Sequence, residues 1–223
     1  MLDQRLLACA AYVRPNAKVA DIGTDHAYLP CHLVQSGVTC TVLAADVNEK
    51  PLSMARKTIA QYGLSGVIQT VLSDGLAQID ASQADDVIVA GMGGELIARI
   101  VLDCPWLCDS EKHLILQPMS QAPFLRRTLY AHGFGIRSET PVFENGHHYT
   151  ILLCTYTGVA QAVDDFFALT GKLPEQHTPE AKAHLRFQQE RMQKIAGGLR
   201  RAKDSAEQAA FYTALAEQIG RLF

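Results

Sequence analysis

The sequence predicts an α/β fold: an open, mostly parallel sheet with a ligand at the carboxyl ends of its strands, followed by a small helical hairpin. Two observations point to the sheet. Apolar runs of strand length alternate with helical patterns up to about residue 130. Successive runs also stop at an acid or a glycine, as in Val19-Ala20-Asp21-Ile22-Gly23 and Thr41-Val42-Leu43-Ala44-Ala45-Asp46. In open α/β sheets, ligands bind at that end of the strands. A third observation marks the hairpin: beyond Gly158 the composition shifts to Ala, Gln, Lys and Arg without a strand pattern. The chain therefore divides into residues 1–158 and 159–223. A length of 223 residues suits one full domain and a smaller one, and 48% hydrophobic residues can fill a core.

A net charge of −3 excludes wholesale electrostatic binding of nucleic acid, so any such contact must come from a local patch. The six cysteines form no C-x-x-C pair, and residues 2–5 do not begin a signal region. Reduced thiols in a cytoplasmic, monomeric protein are expected. Cys104 and Cys108 lack a second pair, so no metal is expected. No apolar run approaches the roughly 20 residues of a membrane span.

The first helix is expected over residues 4–13, where Leu6, Leu7, Ala10 and Val13 share a face, and the first strand over residues 18–22. The strand opens into Gly23-Thr24-Asp25-His26-Ala27-Tyr28. Gly23 lets a ligand approach the backbone, and Asp21 and Asp25 place acceptors beside it. Only one glycine of the G-x-G-x-x-G pattern is present, so the ligand should lack a pyrophosphate. Acids favour a cation, and S-adenosylmethionine, with its ammonium and sulfonium, fits. A ligand-free β-α turn is the alternative.

A helix over residues 29–36 has Pro30 in its first turn, and the second strand, residues 41–45, ends at Asp46-Val47-Asn48. Asp46 lies about 20 residues past the first loop, where an acid can accept from ribose hydroxyls; the alternative is a helix-capping Asp before residues 51–62. The third strand, residues 67–72, closes with Ser73-Asp74-Gly75, and Asp74 could receive an adenine amino group. The fourth, residues 86–90, runs into Gly91-Met92-Gly93-Gly94, and a helix starts near Glu95. A phosphate cradle is a second reading of these glycines, but the P-loop Lys-Ser/Thr is absent. The fifth strand, residues 113–116, ends at Gln117-Pro118-Met119 before a helix over residues 121–132. Strands over residues 135–141 and 148–155 flank Asn145-Gly146, a hairpin signal. Five βα units and an antiparallel hairpin make the seven-stranded, Rossmann-like architecture of class I methyltransferases.

At this point the chain resembles a particular family. The segments Asp21-Ile22-Gly23-Thr24-Asp25-His26-Ala27-Tyr28-Leu29-Pro30, Ala90-Gly91-Met92-Gly93-Gly94, Ile115-Leu116-Gln117-Pro118 and Gly146-His147-His148-Tyr149 are similar to those of the bacterial tRNA (adenine-22-N1)-methyltransferases of the TrmK family. The family usually has Ser at Thr24 and commonly Asn at Met119. The resemblance implies that Gly23, Asp25, Tyr28, Asp46, Asp74 and Gly91 bind S-adenosylmethionine; Asp21, Val47, Gly75 and Met92 complete the candidate cofactor set. It also implies a tRNA substrate.

In the C-terminal segment Leu185, Met192 and Leu199 repeat every seven residues with Ile195 and Ala202 between them, and Tyr212, Leu215, Ile219 and Leu222 follow at 3-4-3 spacing. An antiparallel coiled-coil hairpin, joined near Asp204-Ser205 and open to a kink at Gly197-Gly198, is expected. Arg186, Arg191, Lys194, Arg200 and Arg201, with Lys182 and Lys203, are candidate RNA contacts; a solvated face is the alternative.

Adenine N1 already carries a lone pair, so methyl transfer to it needs no general base, only alignment and exclusion of water. Asp25, His26, Gln117, Pro118 and Tyr149, with residues 91–93, are the candidates for the pocket of the unstacked base; His26 and His147 could instead be ordinary loop histidines. Two other functions keep the same motifs: a class I methyltransferase for another RNA or a small molecule, and an inactive RNA-binding scaffold.

Overall fold

The computed structural model describes residues 2–202 and 205–223. Seven strands, β1 (Val19–Ile22), β2 (Val42–Asp46), β3 (Ile68–Leu72), β4 (Asp86–Gly93), β5 (His113–Ser120), β6 (Phe134–Glu144) and β7 (His147–Tyr156), form one sheet in the order β3-β2-β1-β4-β5-β7-β6. β7 runs antiparallel to both of its neighbours, and the other pairings are parallel. From β1 the chain winds outward through β2 and β3, then returns to place β4 on the other side of β1. The crevice between the carboxyl ends of β1 and β4 is thus the topological switch point, where a ligand is expected.

The central strands are continuous apolar runs because both faces of the sheet are covered. Ala20, Val87, Val89 and Leu116 point into one core, and Val19, Ile88 and Ile115 into the other. The first core is closed by α4 (Gly94–Leu102) and α5 (Ala122–Ala131), the second by α1 (Gln4–Ala10), α2 (Tyr28–Gln35) and α3 (Glu49–Gln61).

β4 and β5 are longer than their apolar runs predict. Gly91, at φ 79°, inserts a bulge, and pairing resumes at Met92 with Pro118 and Gly93 with Ser120. The glycine segment is therefore partly strand. At the hairpin, Asn145 (φ 50°) and Gly146 (φ 81°) form the tight turn their pairing predicts.

A third core joins α6 (Asp165–Thr170), α7 (Pro179–Leu199) and α8 (Ala206–Gly220). Leu185 and Met192 meet Leu215 and Ile219, as the heptad spacing requires. Ala202 and Leu222 are exposed, which corrects the outer ends of that pattern. α7 is unbroken through Gly197-Gly198; of the expected joint near Asp204-Ser205, Asp204 lies outside the described residues, as does the candidate RNA contact Lys203. α6 was not foreseen: Asp164 caps it by accepting from Phe167 N at 2.7 Å.

Candidate active site

The loop after β1 is held under β2: the N–H groups of Gly23 and Thr24 both donate to Ala45 O, at 2.8 and 2.9 Å. Its backbone enters the left-handed region at Gly23 (φ 75°), Asp25 (φ 48°) and Ala27 (φ 55°). For Asp25 and Ala27 that conformation costs free energy, and such residues cluster at functional sites. The consequence is that Asp25 and His26 project outward, 3.6 Å apart, while the His26 ring lies over Tyr28 at 5.5 Å. A Cβ on Gly23 would fall 2.2 Å from Met92 Cε, so the β4 bulge and the β1 loop touch directly over this glycine.

Asp21 is buried beneath the loop, and burial pushes its carboxyl up to about 6, with the nearby charge of Asp46 acting in the same direction and Thr24 opposing. The Thr24 hydroxyl is itself buried and has no hydrogen-bond partner of normal geometry among the described residues. A cationic, hydrogen-bonding ligand matches this floor, since it would favour ionised Asp21 and give Thr24 a partner. Asp46 uses Oδ1 to accept from Asn48 N at 2.9 Å, Oδ2 takes no hydrogen bond among the described residues, and Val47 beside it is exposed. Asp74 pairs with Arg99 at 3.3 Å, next to buried Gly75.

The folded protein holds the Asp21 proton more tightly than the unfolded chain, so ionisation works against folding as pH climbs from about 4 to about 6. We expect Asp21→Asn to gain on the order of 1–2 kcal/mol of stability near neutral pH and nothing below pH about 4. Urea unfolding at the two pH values checks this; an equal effect at both would show that Asp21 is not held protonated.

Gln117 binds the second half of the site together. Its Oε1 accepts from Arg5 Nη1 at 2.6 Å and from Gly91 N at 3.0 Å, and its Nε2 donates to Pro118 O at 3.0 Å. It is fully buried and holds the Gly91 bulge through the Gly91 N–H. Arg5 escaped the sequence reading because its partner is 112 positions away. Asp3 accepts from Arg5 Nη2, and Glu144 accepts from the backbone N–H groups of Gln4 and Arg5, so α1 is pinned across the ends of β5 and β6.

Pro118 and Tyr149 share a pocket lining that does not include Asp25 or His26. They line a neighbouring cleft of about 750 Å³ between the end of β5, β7 and α7. The five candidate RNA cations are all exposed but do not form one stripe: Arg186, Arg191 and Lys194 stand at different angles around α7, and Arg200 and Arg201 follow its last residue. Arg186 lies 5.1 Å over the Phe223 ring and Arg200 donates to Thr213 Oγ1 at 2.9 Å, both towards the C-terminal helix, whereas Arg191 faces the cleft. Among the described residues, no cluster of His, Cys, Asp and Glu is arranged to hold a metal, and no helix is long and apolar enough to cross a membrane.

The strand order, the acids ending β1 and β2 and the glycines at β1 and β4 define a class I methyltransferase, and residues 2–152 match the family model described as a methyltransferase domain. The tRNA (adenine(22)-N(1))-methyltransferase of Bacillus subtilis is 35% identical over 152 residues, which are 68% of this chain and 64% of that protein. The chain thus matches just under two thirds of this curated relative. Structures match over more of their length. Streptococcus pneumoniae Sp1610, a candidate tRNA (m1A22) methyltransferase, has a TM-score of 0.88 at 30% identity, covering 100% of this chain and 99% of its own. It has also been solved in complex with S-adenosyl-L-methionine. B. subtilis TrmK, an m1A22 tRNA methyltransferase, has a TM-score of 0.86 at 27% identity, covering 98% of each chain. The chain belongs to the TrmK family of tRNA (adenine-22-N1)-methyltransferases.

Proposed function

We propose that this protein transfers a methyl group from S-adenosylmethionine to N1 of adenine 22 in tRNA. The observation that carries the reading is the meeting of the β1 loop with the β4 bulge at the switch point, on a fold that a tRNA (m1A22) methyltransferase matches over nearly its whole length. When bound, S-adenosylmethionine supplies an electrophilic methyl carbon.

This chain's own residues do the rest. Buried Asp21 offers a carboxylate to a cationic group, and Asp46 Oδ2 accepts from the ribose. Tyr28, Val47, Asp74, Gly75 and Met92 surround the remainder of the cofactor. Asp25 and His26 face the reacting end, where they orient the base rather than remove a proton, because N1 is nucleophilic as it stands. Such positioning supplies about 7–11 kcal/mol in favourable cases.

Residues 1–158 carry the chemistry in this reading and residues 159–223 grip the tRNA. In this reading the protein acts as a monomer, every group named lying on one copy. All six cysteines are free thiols, in keeping with a reducing cytoplasm.

The test is methyl transfer to an unmodified tRNA transcript, with the product mapped by reverse-transcription stops. A single stop at adenine 22 is expected. A stop elsewhere, or methylation of free adenosine alone, would overturn the assignment.

Replacing Arg191 and Lys194 by Gln should weaken tRNA binding and lower the salt slope of log K by about 0.7–0.9 per lost phosphate contact, with cofactor affinity unchanged. Arg186→Gln and Arg200→Gln should do less, since those side chains already lean on Phe223 and Thr213. Titrations at several salt concentrations decide it; an unchanged slope for the first pair would mean the cations are merely solvated.

A further inference from the structure

The cleft between β7 and α7 has features that the proposed chemistry leaves unused. Its floor holds His184, only 4% exposed, whose Nδ1 has no hydrogen-bond partner among the described residues, and Gln188, whose Oε1 is likewise buried and unpartnered. The two side chains touch each other at 3.3 Å through His184 Nε2 and Gln188 Nε2. Either tautomer, or a flipped amide, still leaves one donor and one acceptor unmatched. Arg126, also at the floor, does not serve them, being held by Glu139 and by the carbonyls of Ala168 and Leu169. Leaving two buried polar groups unmatched is unfavourable, and a ligand is one way to match them.

The walls indicate which ligand. Phe187 and His148 stack at 4.5 Å with 19° between their planes, and Tyr149 and His147 continue the aromatic lining. Arg191 stands exposed at the mouth. Flat rings, an uncharged donor and acceptor in the floor and a guanidinium at the rim are the means by which proteins hold an unstacked nucleotide. A volume of about 750 Å³ lies within the range of ligand sites. The lining includes Pro118 and Met119 but none of Asp25, His26 or Gly91. A base seated here meets Pro118 and Tyr149 instead of those groups.

We propose that this cleft is a second nucleotide subsite, which takes an unstacked base next to the target adenine and so fixes the register of the tRNA. The proposal rests on the tRNA reading above. Its test uses the whole protein and two separate variants, His184→Phe and Gln188→Leu, which keep the volume and remove the polar floor. Both should raise the KM for tRNA at least tenfold and leave calorimetric affinity for S-adenosylmethionine and the thermal midpoint within error. In parallel, transcripts with 2-aminopurine on either side of adenine 22 should brighten on binding wild-type protein at one of the two positions, and not on binding the variants. An unchanged KM and the same 2-aminopurine signal in both variants would overturn the subsite while the activity stands. Should the wild-type protein give no stop at adenine 22, the activity reading fails and the subsite falls with it. If His184→Phe lowers the thermal midpoint, Gln188→Leu, at a half-buried position, decides alone.

Discussion

Replacing Arg126 by Met is expected to lower the free energy of unfolding by about 3–5 kcal/mol, the usual result of removing one partner from a buried ion pair. Arg126 is 1% exposed and Glu139 2%, and Nε donates to Glu139 Oε1 at 2.8 Å. The pair also ties three elements together. Arg126 Nη1 donates to Ala168 O at 2.8 Å, and Glu139 Oε2 accepts from Lys172 N at 2.9 Å, so α5, β6 and the segment after α6 meet at one point. Methionine fills much of the volume but strands a carboxylate in the core and leaves that carbonyl without its donor. A second change, Glu139→Gln, should recover part of the loss by removing the uncompensated charge. Urea denaturation of both variants gives the answer. A loss below about 1 kcal/mol for Arg126→Met would mean that water reaches Glu139 and the clamp is not a structural one.

Why this clamp was invisible in the sequence, while the crevice was not, is a matter of range. Asp21, Gly23, Asp46 and Asp74 each terminate their own apolar run, so their placement at strand ends follows from local pattern. Arg126 and Glu139 look like ordinary surface charges, because charged residues are rarely buried without a partner and no local pattern names one. Arg5 and the contacts of Gln117 were hidden for the same reason: what each does is set by residues brought near only by the fold. The bulge at Gly91 replaces an expected loop because the Gln117 side chain supplies the acceptor that the interrupted ladder no longer gives. In the C-terminal part, heptad spacing located the α7–α8 contact, but counting cations could not show that they diverge around the helix. Asp25 and His26 illustrate the opposite case, where a short left-handed loop fixes the direction of two side chains that the sequence marks only as neighbours.

Asp46→Ala should weaken S-adenosylmethionine binding by about 1.5–3 kcal/mol, roughly 10- to 150-fold in Kd, with the fold kept. The argument rests on where the carboxylate stands. Asp46 is the last residue of β2, partly exposed, and its side chain's only hydrogen bond among the described residues is from Asn48 N, worth about 0.5–1.5 kcal/mol of stability. The other oxygen can accept from a ribose hydroxyl, and a charged acceptor makes that bond stronger than a neutral one. The alternative, that Asp46 only shapes the turn before α3, predicts lost stability without lost affinity. Asp46→Asn separates the two, since the amide keeps an acceptor for Asn48 N but gives up the charge; it should retain most of the stability and lose about half of the binding free energy that alanine loses. One effect runs the other way. Asp46 contributes to the raised Asp21 carboxyl, so removing its charge lets Asp21 ionise at lower pH and meet a cationic ligand more readily. The affinity lost in Asp46→Ala should therefore be smaller at about pH 5.5 than near neutrality, because wild-type Asp21 is then largely protonated and the variant's is less so. Calorimetric titrations at the two pH values measure both parts; affinity equal to wild type at neutral pH would remove Asp46 from the cofactor site, and a loss independent of pH would uncouple it from Asp21.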